Sequence, residues 1–259
     1  MPAPDASDDL RLLEDVTREA GRIALKFYGG DYKRWSKEGG SPVTEADLAV
    51  NKFLHDRLTA ARPDYGWLSE ESADNPARLT RDKVFVIDPI DGTIAFLKNR
   101  PHFTICAAVV IEGRPRCGVV YNPITDELYS AQSGYGAHRN GAAIHVGQQT
   151  QLEGCAMLGD RTAFTGPPWP AMHVQNRNSI AYRLVLVADG SADASVSLTS
   201  KRDWDLAAAD VILREAGGFL TDAQGALLIY NRPVTRQSSL VAANPRLHRE
   251  IITLLKHQA

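Results

Sequence analysis

The run V-F-V-I-D-P-I-D-G-T-I-A-F-L-K-N, residues 84–99, decides how the rest of the chain is read. Val84 to Ile87 is an apolar, strand-type run; it delivers Asp88, Pro89 and a second carboxylate, Asp91, before Gly92 and Thr93 open a helix-like segment. Two acids three residues apart, with a proline setting the backbone between them, aim at one point, which is costly for like charges unless a cation sits there. Hard divalent cations take oxygen ligands, and magnesium pairs one or two carboxylates with phosphate oxygens. The helix start adds N–H donors and a positive dipole end at Gly92 and Thr93, a cradle for an anion. The same string also reads as a plain turn with an N-cap, because Asp, Pro, Gly and Thr are all turn and cap residues. On this stretch alone both readings stand.

Upstream, Leu10, Leu12, Leu13, Val16, Ala20, Ile23, Ala24 and Phe27 recur at helical spacing and predict an amphipathic helix from Leu10 to Tyr28, stopped by Gly29-Gly30. K-R-W-S-K-E-G-G-S, residues 33–41, predicts a glycine-containing loop that carries Lys37. Thr44 is the expected N-cap of a second helix running to about Ala61, with Leu48, Phe53, Leu54 and Leu58 inward and Asp47 in its first turn. Tyr65 to Ser69 reads as a strand running into Glu70-Glu71. These acids belong either to a solvated loop or, if that strand lies beside the one ending at Asp88, to the same carboxylate group.

Downstream, the apolar runs 103–112 and 116–122 predict a β-hairpin, followed by a strand from Glu127 to Ala131 and a further hairpin turn at Asn140-Gly141. Composition turns polar around Gly147 to Gly154, which divides the chain into an N-terminal α+β lobe, residues 1–147, and a C-terminal α/β lobe, residues 148–259. The second lobe offers a helix from Ser179 to Asp189, a strand from Ala194 to Leu198, and the block 201–218, K-R-D-W-D-L-A-A-A-D-V-I-L-R-E-A-G-G. There Asp205 stands at a helix start, and the alanine run favours close packing.

The 259 residues, 44% apolar and 23% charged, are ordinary for a globular protein. A formal charge of -2 without a basic block gives little support to a DNA or anionic-membrane footprint and leaves small polar substrates open. Cys106, Cys117 and Cys155 show no C-x-x-C spacing and read as buried free thiols. The acidic N-terminus is unlike a signal peptide, and no window approaches a membrane span, so a cytoplasmic location is expected.

Five signals, Lys37 in its loop, V-T-E-A-D ending at Asp47, Glu70-Glu71, D-P-I-D-G-T at 88–93, and W-D-L-A-A-A-D from Trp204, together resemble the inositol monophosphatase family of lithium-sensitive, magnesium-dependent phosphomonoesterases. The resemblance implies a layered αβαβα sandwich of the inositol monophosphatase and fructose-1,6-bisphosphatase type, and a homodimer. It implies that Glu70, Asp88 and the carbonyl of Ile90 hold one magnesium, that Asp88, Asp91 and Asp205 hold a second, and that a third, weaker ion sits near Glu70. Thr93 and Asp47 match the pair that hydrogen-bonds the attacking water, and Gly92 and Thr93 match the amides on the phosphate. Catalytic roles thus fall to Asp47, Thr93 and Glu70.

The chain departs from the inositol-specific pattern seven residues before Asp205, where a hydroxyl-binding glutamate is expected and Ser197-Leu198-Thr199 stands instead. Arg183, in a run resembling one in the 3'(2'),5'-bisphosphate nucleotidases, either meets a second phosphate or pairs with an acid on its own helix face. The expectation is a nucleotidase removing the 3'-phosphate of 3'-phosphoadenosine 5'-phosphate. The alternatives are an inositol-1-phosphate phosphatase, a fructose-1,6-bisphosphatase, or a scaffold on RNA-processing machinery.

Overall fold

The computed structural model describes residues 6–36, 40 and 42–257. Helix α1 (Ala6–Phe27) begins four residues before the apolar periodicity does, because Asp8 and Asp9 occupy its first turn, where carboxylates favour the helix dipole. A short ribbon, β1 (Arg34–Ser36) with β2 (Pro42–Thr44), leads to α2 (Glu45–Ala61). Thr44 caps α2 as expected, and Asp47 closes a capping box with it. The buried face of α2 is Ala46, Asp47, Val50, Leu54 and Leu58. Leu48, expected inward, is exposed, since it lies on the opposite side of the helix from the 46/50/54/58 row.

A seven-stranded sheet follows: β3 (Gly66–Ser69), β4 (Lys83–Asp91), β5 (Thr104–Ile111), β6 (Arg114–Asn122), β7 (Glu127–Gln132), β8 (Ala137–Arg139) and β9 (Ala142–Ile144), neighbours in sequence order. Only β3 runs parallel to its neighbour β4; every other pair in this sheet is antiparallel. The short helix α3 (Thr93–Leu97) leaves the end of β4. The chain then enters a five-stranded sheet formed by β10 (Ala156–Leu158), β11 (His173–Gln175), β12 (Ala194–Ser197), β14 (Phe219–Thr221) and β16 (Leu240–Ala243). Between these lie α4 (Ile180–Ala188), α5 (Asp203–Glu215), and a two-residue ribbon of β13 (Lys201–Arg202) with β15 (Arg236–Gln237); α6 (Pro245–Lys256) ends the described chain.

Three apolar clusters order the layers. Helices α1 and α2 pack on one face of the large sheet through Leu13, Val16, Val50, Leu54, Phe85 and Ile87. The opposite face, through Val84, Val86 and Val120, meets α4 and α5, which also cover one face of the small sheet at Leu220 and Ala242. The other face of that sheet, through Met157, Val196 and Val241, packs on α6 at Leu247 and Ile251. The architecture is therefore an αβαβα sandwich. Strand β4 is buried from Val84 to Asp91, which is why its sequence is apolar rather than alternating.

Helix α5 lies unusually close to β6. A Cβ on Gly118 would sit 2.7 Å from the Ala208 carbonyl oxygen, so glycine on the strand and Ala207 to Ala209 on the helix are what permit the approach. The N-terminus of α5, with Asp205, is thereby held at the end of the large sheet. The three cysteines are free and buried. Among the described residues, no helix is long and apolar enough to cross a membrane.

Candidate active site

The site forms where β4 ends. Its pairing with β5 slips between Asp88, opposite Cys106, and Asp91, opposite Thr104: three residues on β4 span two on its partner. In a regular strand residues 88 and 91 face opposite sides, and the extra residue of this bulge turns both carboxylates into one cleft. Pro89 fits here because it has no N–H to give a ladder. Gly92 follows at φ 94°, and a Cβ there would lie 2.9 Å from the His102 carbonyl oxygen and 3.0 Å from the Ser179 nitrogen. Only glycine suits both the dihedral and the space.

Three distant segments converge on this turn. Glu70 is brought alongside by the parallel pairing of β3 with β4, and its amide donates to the Ile87 carbonyl. Asp205 arrives on the first turn of α5, which begins at Asp203; the Arg202 amide donates to Asp205 Oδ2 at 2.8 Å. Carboxylate oxygens of Glu70, Asp88 and Asp205 lie within 4.8 Å of one another. Asp91 shares the cleft, its Oδ2 accepting from Ser179 Oγ at 2.6 Å and from the Ala181 amide at 2.7 Å, so that the start of α4 holds it. The Ile90 amide donates to Asp88 Oδ1.

Asp47 stands at the edge of this group. Its Oδ2 accepts from the Thr44 amide and hydroxyl, and its Oδ1 lies 3.4 Å from Thr93 Oγ1, which also faces the Ile90 carbonyl at 3.1 Å. The cleft, of about 540 Å³, is lined by Glu70, Asp88, Ile90, Asp91, Gly92, Thr93 and Asp205, with Trp204, Arg202 and Arg236 on its wall.

The electrostatics follow from burying like charges together. Asp88 is pushed well above the ordinary carboxylate range, first by burial and then by Glu70, Asp91 and Asp205. Asp205 is raised to about 8 by burial and by Asp91, and Asp91 to about 6 by burial, against the opposing bonds from Ser179 and the α4 amides. Among the described residues no lysine or arginine forms an ion pair with Asp88, Asp91 or Asp205. Acids gathered this closely around the buried Asp88, with oxygen donors alone, fit a hard divalent cation.

The sequence model of the inositol monophosphatase family matches residues 6–259. The chain belongs to the inositol monophosphatase family. Its members are phosphatases and depend on magnesium, so this chain is a phosphoric monoester hydrolase. It is 32% identical over 240 residues to the 3'(2'),5'-bisphosphate nucleotidase CysQ of Aggregatibacter actinomycetemcomitans, covering 85% of this chain and 88% of that one. It is 30% identical over 264 residues to the Nus factor SuhB of Escherichia coli K12, covering 96% of each. The IMPase of Thermotoga maritima superposes with a TM-score of 0.84 at 28% identity, over 96% of this chain and 97% of that structure.

Other residues singled out in the sequence lie elsewhere. Lys37 falls outside the described residues. Glu71 and Leu198 do not line the cleft, and Leu198 is half exposed. Arg183 is buried on α4, where Nε donates to the Arg177 carbonyl and Nη2 to Asn176 Oδ1; Asn178, two residues on from Asn176, lines the cleft, and Arg183 is not among the lining residues. Ser179 was the residue missed. A helix-capping serine was legible at that position, but not a bond to an acid 88 residues away.

Proposed function

We propose that the chain hydrolyses a small phosphate monoester by direct attack of water, with 3'-phosphoadenosine 5'-phosphate as the preferred substrate class. The observation that carries the reaction is the convergence of Glu70, Asp88 and Asp205 within 4.8 Å at a turn whose next residues, Gly92 and Thr93, line the same cleft.

In this reading Glu70, Asp88 and the Ile90 carbonyl would hold one magnesium, Asp88, Asp91 and Asp205 would hold a second, and a third would bind near Glu70. Magnesium bound there supplies Lewis acidity toward water and the phosphoryl oxygens. The chain's own groups do the rest. Asp47, fixed by Thr44, and Thr93 orient the attacking water, with Asp47 Oδ1 placed to accept its proton through the Thr93 hydroxyl. The amides of Gly92 and Thr93 stabilise charge on the equatorial oxygens. No side chain is needed as a covalent nucleophile.

The nucleotide preference is supported by the similarity to the CysQ nucleotidase and by Leu198 standing where a hydroxyl-binding acid is expected. Initial rates with magnesium on 3'-phosphoadenosine 5'-phosphate and on inositol 1-phosphate test it. The nucleotide is expected to have a kcat/KM roughly tenfold or more higher, about 1.4 kcal/mol of discrimination. The reverse order contradicts it. The similarity to a Nus factor favours a second reading, membership of a transcription assembly, which predicts that an Asp88→Asn variant still co-purifies with RNA polymerase.

A further inference from the structure

The wall of the cleft carries an arrangement that the hydrolytic chemistry does not use. Arg202 and Arg236 are direct cross-strand partners in the two-residue β13–β15 ribbon, and both line the cleft beside Asp205. Like charges placed opposite one another across a ladder repel. Neither guanidinium is paired with a carboxylate among the described residues. Arg202 lies over the Trp204 ring, 5.6 Å from its centroid, and Arg236 Nη1 donates to Ser200 Oγ at 2.9 Å. Both contacts hold the side chains in place and leave the positive charges uncompensated.

The backbone beneath them is fixed by buried polar contacts. Asp203, fully buried, donates its amide to the Thr235 carbonyl and accepts from the Asn231 amide and from Gln237 Nε2. Arg78, also buried, donates to Asn231 Oδ1 and to the Arg232 carbonyl. The segment 231–237 is therefore tied to α5 and to the helical turn after β3, and Arg236 is presented to the cleft from a braced base. Ordering two arginines next to each other in this way is favourable when an anion lies between them, because guanidinium groups meet phosphate with paired, charge-assisted bonds.

We infer that Arg202 and Arg236 form a clamp for a second phosphate carried by the leaving group, so that the enzyme selects phosphate monoesters that bear another phosphate. This rests on the hydrolytic reading above and assigns the selection to these two residues rather than to Arg183. Trp204, under the Arg202 guanidinium, lines the same wall of the cleft. The clamp contributes to binding of the leaving group and takes no part in bond cleavage.

Paired kinetics with magnesium on adenosine 3',5'-bisphosphate and adenosine 3'-monophosphate test the clamp, since the scissile bond is the same and only the second phosphate differs. The ratio of their kcat/KM values is expected to exceed roughly tenfold in the unaltered enzyme, and to fall about tenfold in Arg236→Ala and in Arg202→Ala, mainly through KM of the bisphosphate. Arg236→Glu lowers the ratio further, and Arg202→Lys, which keeps charge without the planar fork, retains part of it. Arg161→Ala, at an exposed position that does not line the cleft, keeps the ratio unchanged. If the enzyme hydrolyses both compounds and the ratio survives in Arg236→Ala and Arg236→Glu, the clamp is wrong while the phosphatase reading stands. If magnesium supports hydrolysis of neither, the phosphatase reading fails and the clamp with it.

Discussion

Ser179 Oγ sits 2.6 Å from Asp91 Oδ2 and also caps α4 through the Tyr182 amide at 2.9 Å, so a single hydroxyl ties a helix of the C-terminal half to an acid at the end of β4. Its other neighbour is Thr104 Oγ1 at 3.0 Å, on the strand paired with Asp91. Ser179→Ala is therefore expected to weaken magnesium affinity about 10–100-fold, the usual effect of losing a group that orients a ligand, and to cost about 1 kcal/mol as a lost cap. Titration of activity against magnesium measures the first effect and thermal melting the second. An unchanged magnesium half-saturation rules out the orienting role.

In the proposed mechanism Asp47 orients the reacting water and is not a metal ligand, so its removal separates chemistry from metal binding. Asp47→Asn is expected to lower kcat about 10²–10⁴-fold while the magnesium half-saturation shifts by less than about twofold. A parallel loss of metal affinity makes Asp47 a ligand and not a water-orienting group.

Gly92 combines a left-handed dihedral with contacts that leave no room for a methyl group. Gly92→Ala is expected to destabilise by about 1–3 kcal/mol, at about 2–4 °C of melting temperature per kcal/mol, and to disturb the Asp91 contacts next to it. A variant that melts like the original shows that the turn relaxes freely.

The raised carboxylates set a pH dependence with a definite sign. Asp91 moves from 3.8 to about 6 and Asp205 from 3.8 to about 8 in the folded, metal-free chain. Between those values and 3.8 the folded state binds more protons than the unfolded state. Stability of the metal-free protein therefore falls as pH rises through this window, from pH 5 toward pH 8. A divalent cation takes the deprotonated ligands, so the rise in melting temperature on adding magnesium is larger at pH 8 than at pH 6. Differential scanning fluorimetry at the two pH values, with magnesium and with chelator, checks this; an equal or smaller shift at pH 8 contradicts it.

Much of this was legible in the sequence because it is local chemistry. The Thr44 N-cap, the Asn140-Gly141 hairpin and the apolar delivery of Asp88 are all written in neighbouring residues, and the structure has each of them there. The sequence alone allows Glu70 either loop or cluster, since only the pairing of β3 with β4 places it beside Ile87. Leu48 faces outward because α2 offers more than one apolar row, and packing against the sheet selects the row through Ala46 and Val50. The roles of Ser179, Arg202 and Arg236 depend on contacts across 34 to 88 residues, and no periodicity or turn signal encodes such distances.

The central claim, that buried acids at the end of β4 exist to hold a cation for phosphate ester hydrolysis, is tested most directly at Asp88. Asp88→Asn removes one negative charge from a fully buried group whose carboxylate is disfavoured by burial and by Glu70, Asp91 and Asp205. The measurement is magnesium-dependent phosphate release by this variant together with its melting temperature in chelator at pH 8. The account predicts that activity falls by roughly three orders of magnitude or more while the metal-free fold melts higher than the original. Activity within about tenfold of the original, in a variant that is folded, contradicts it.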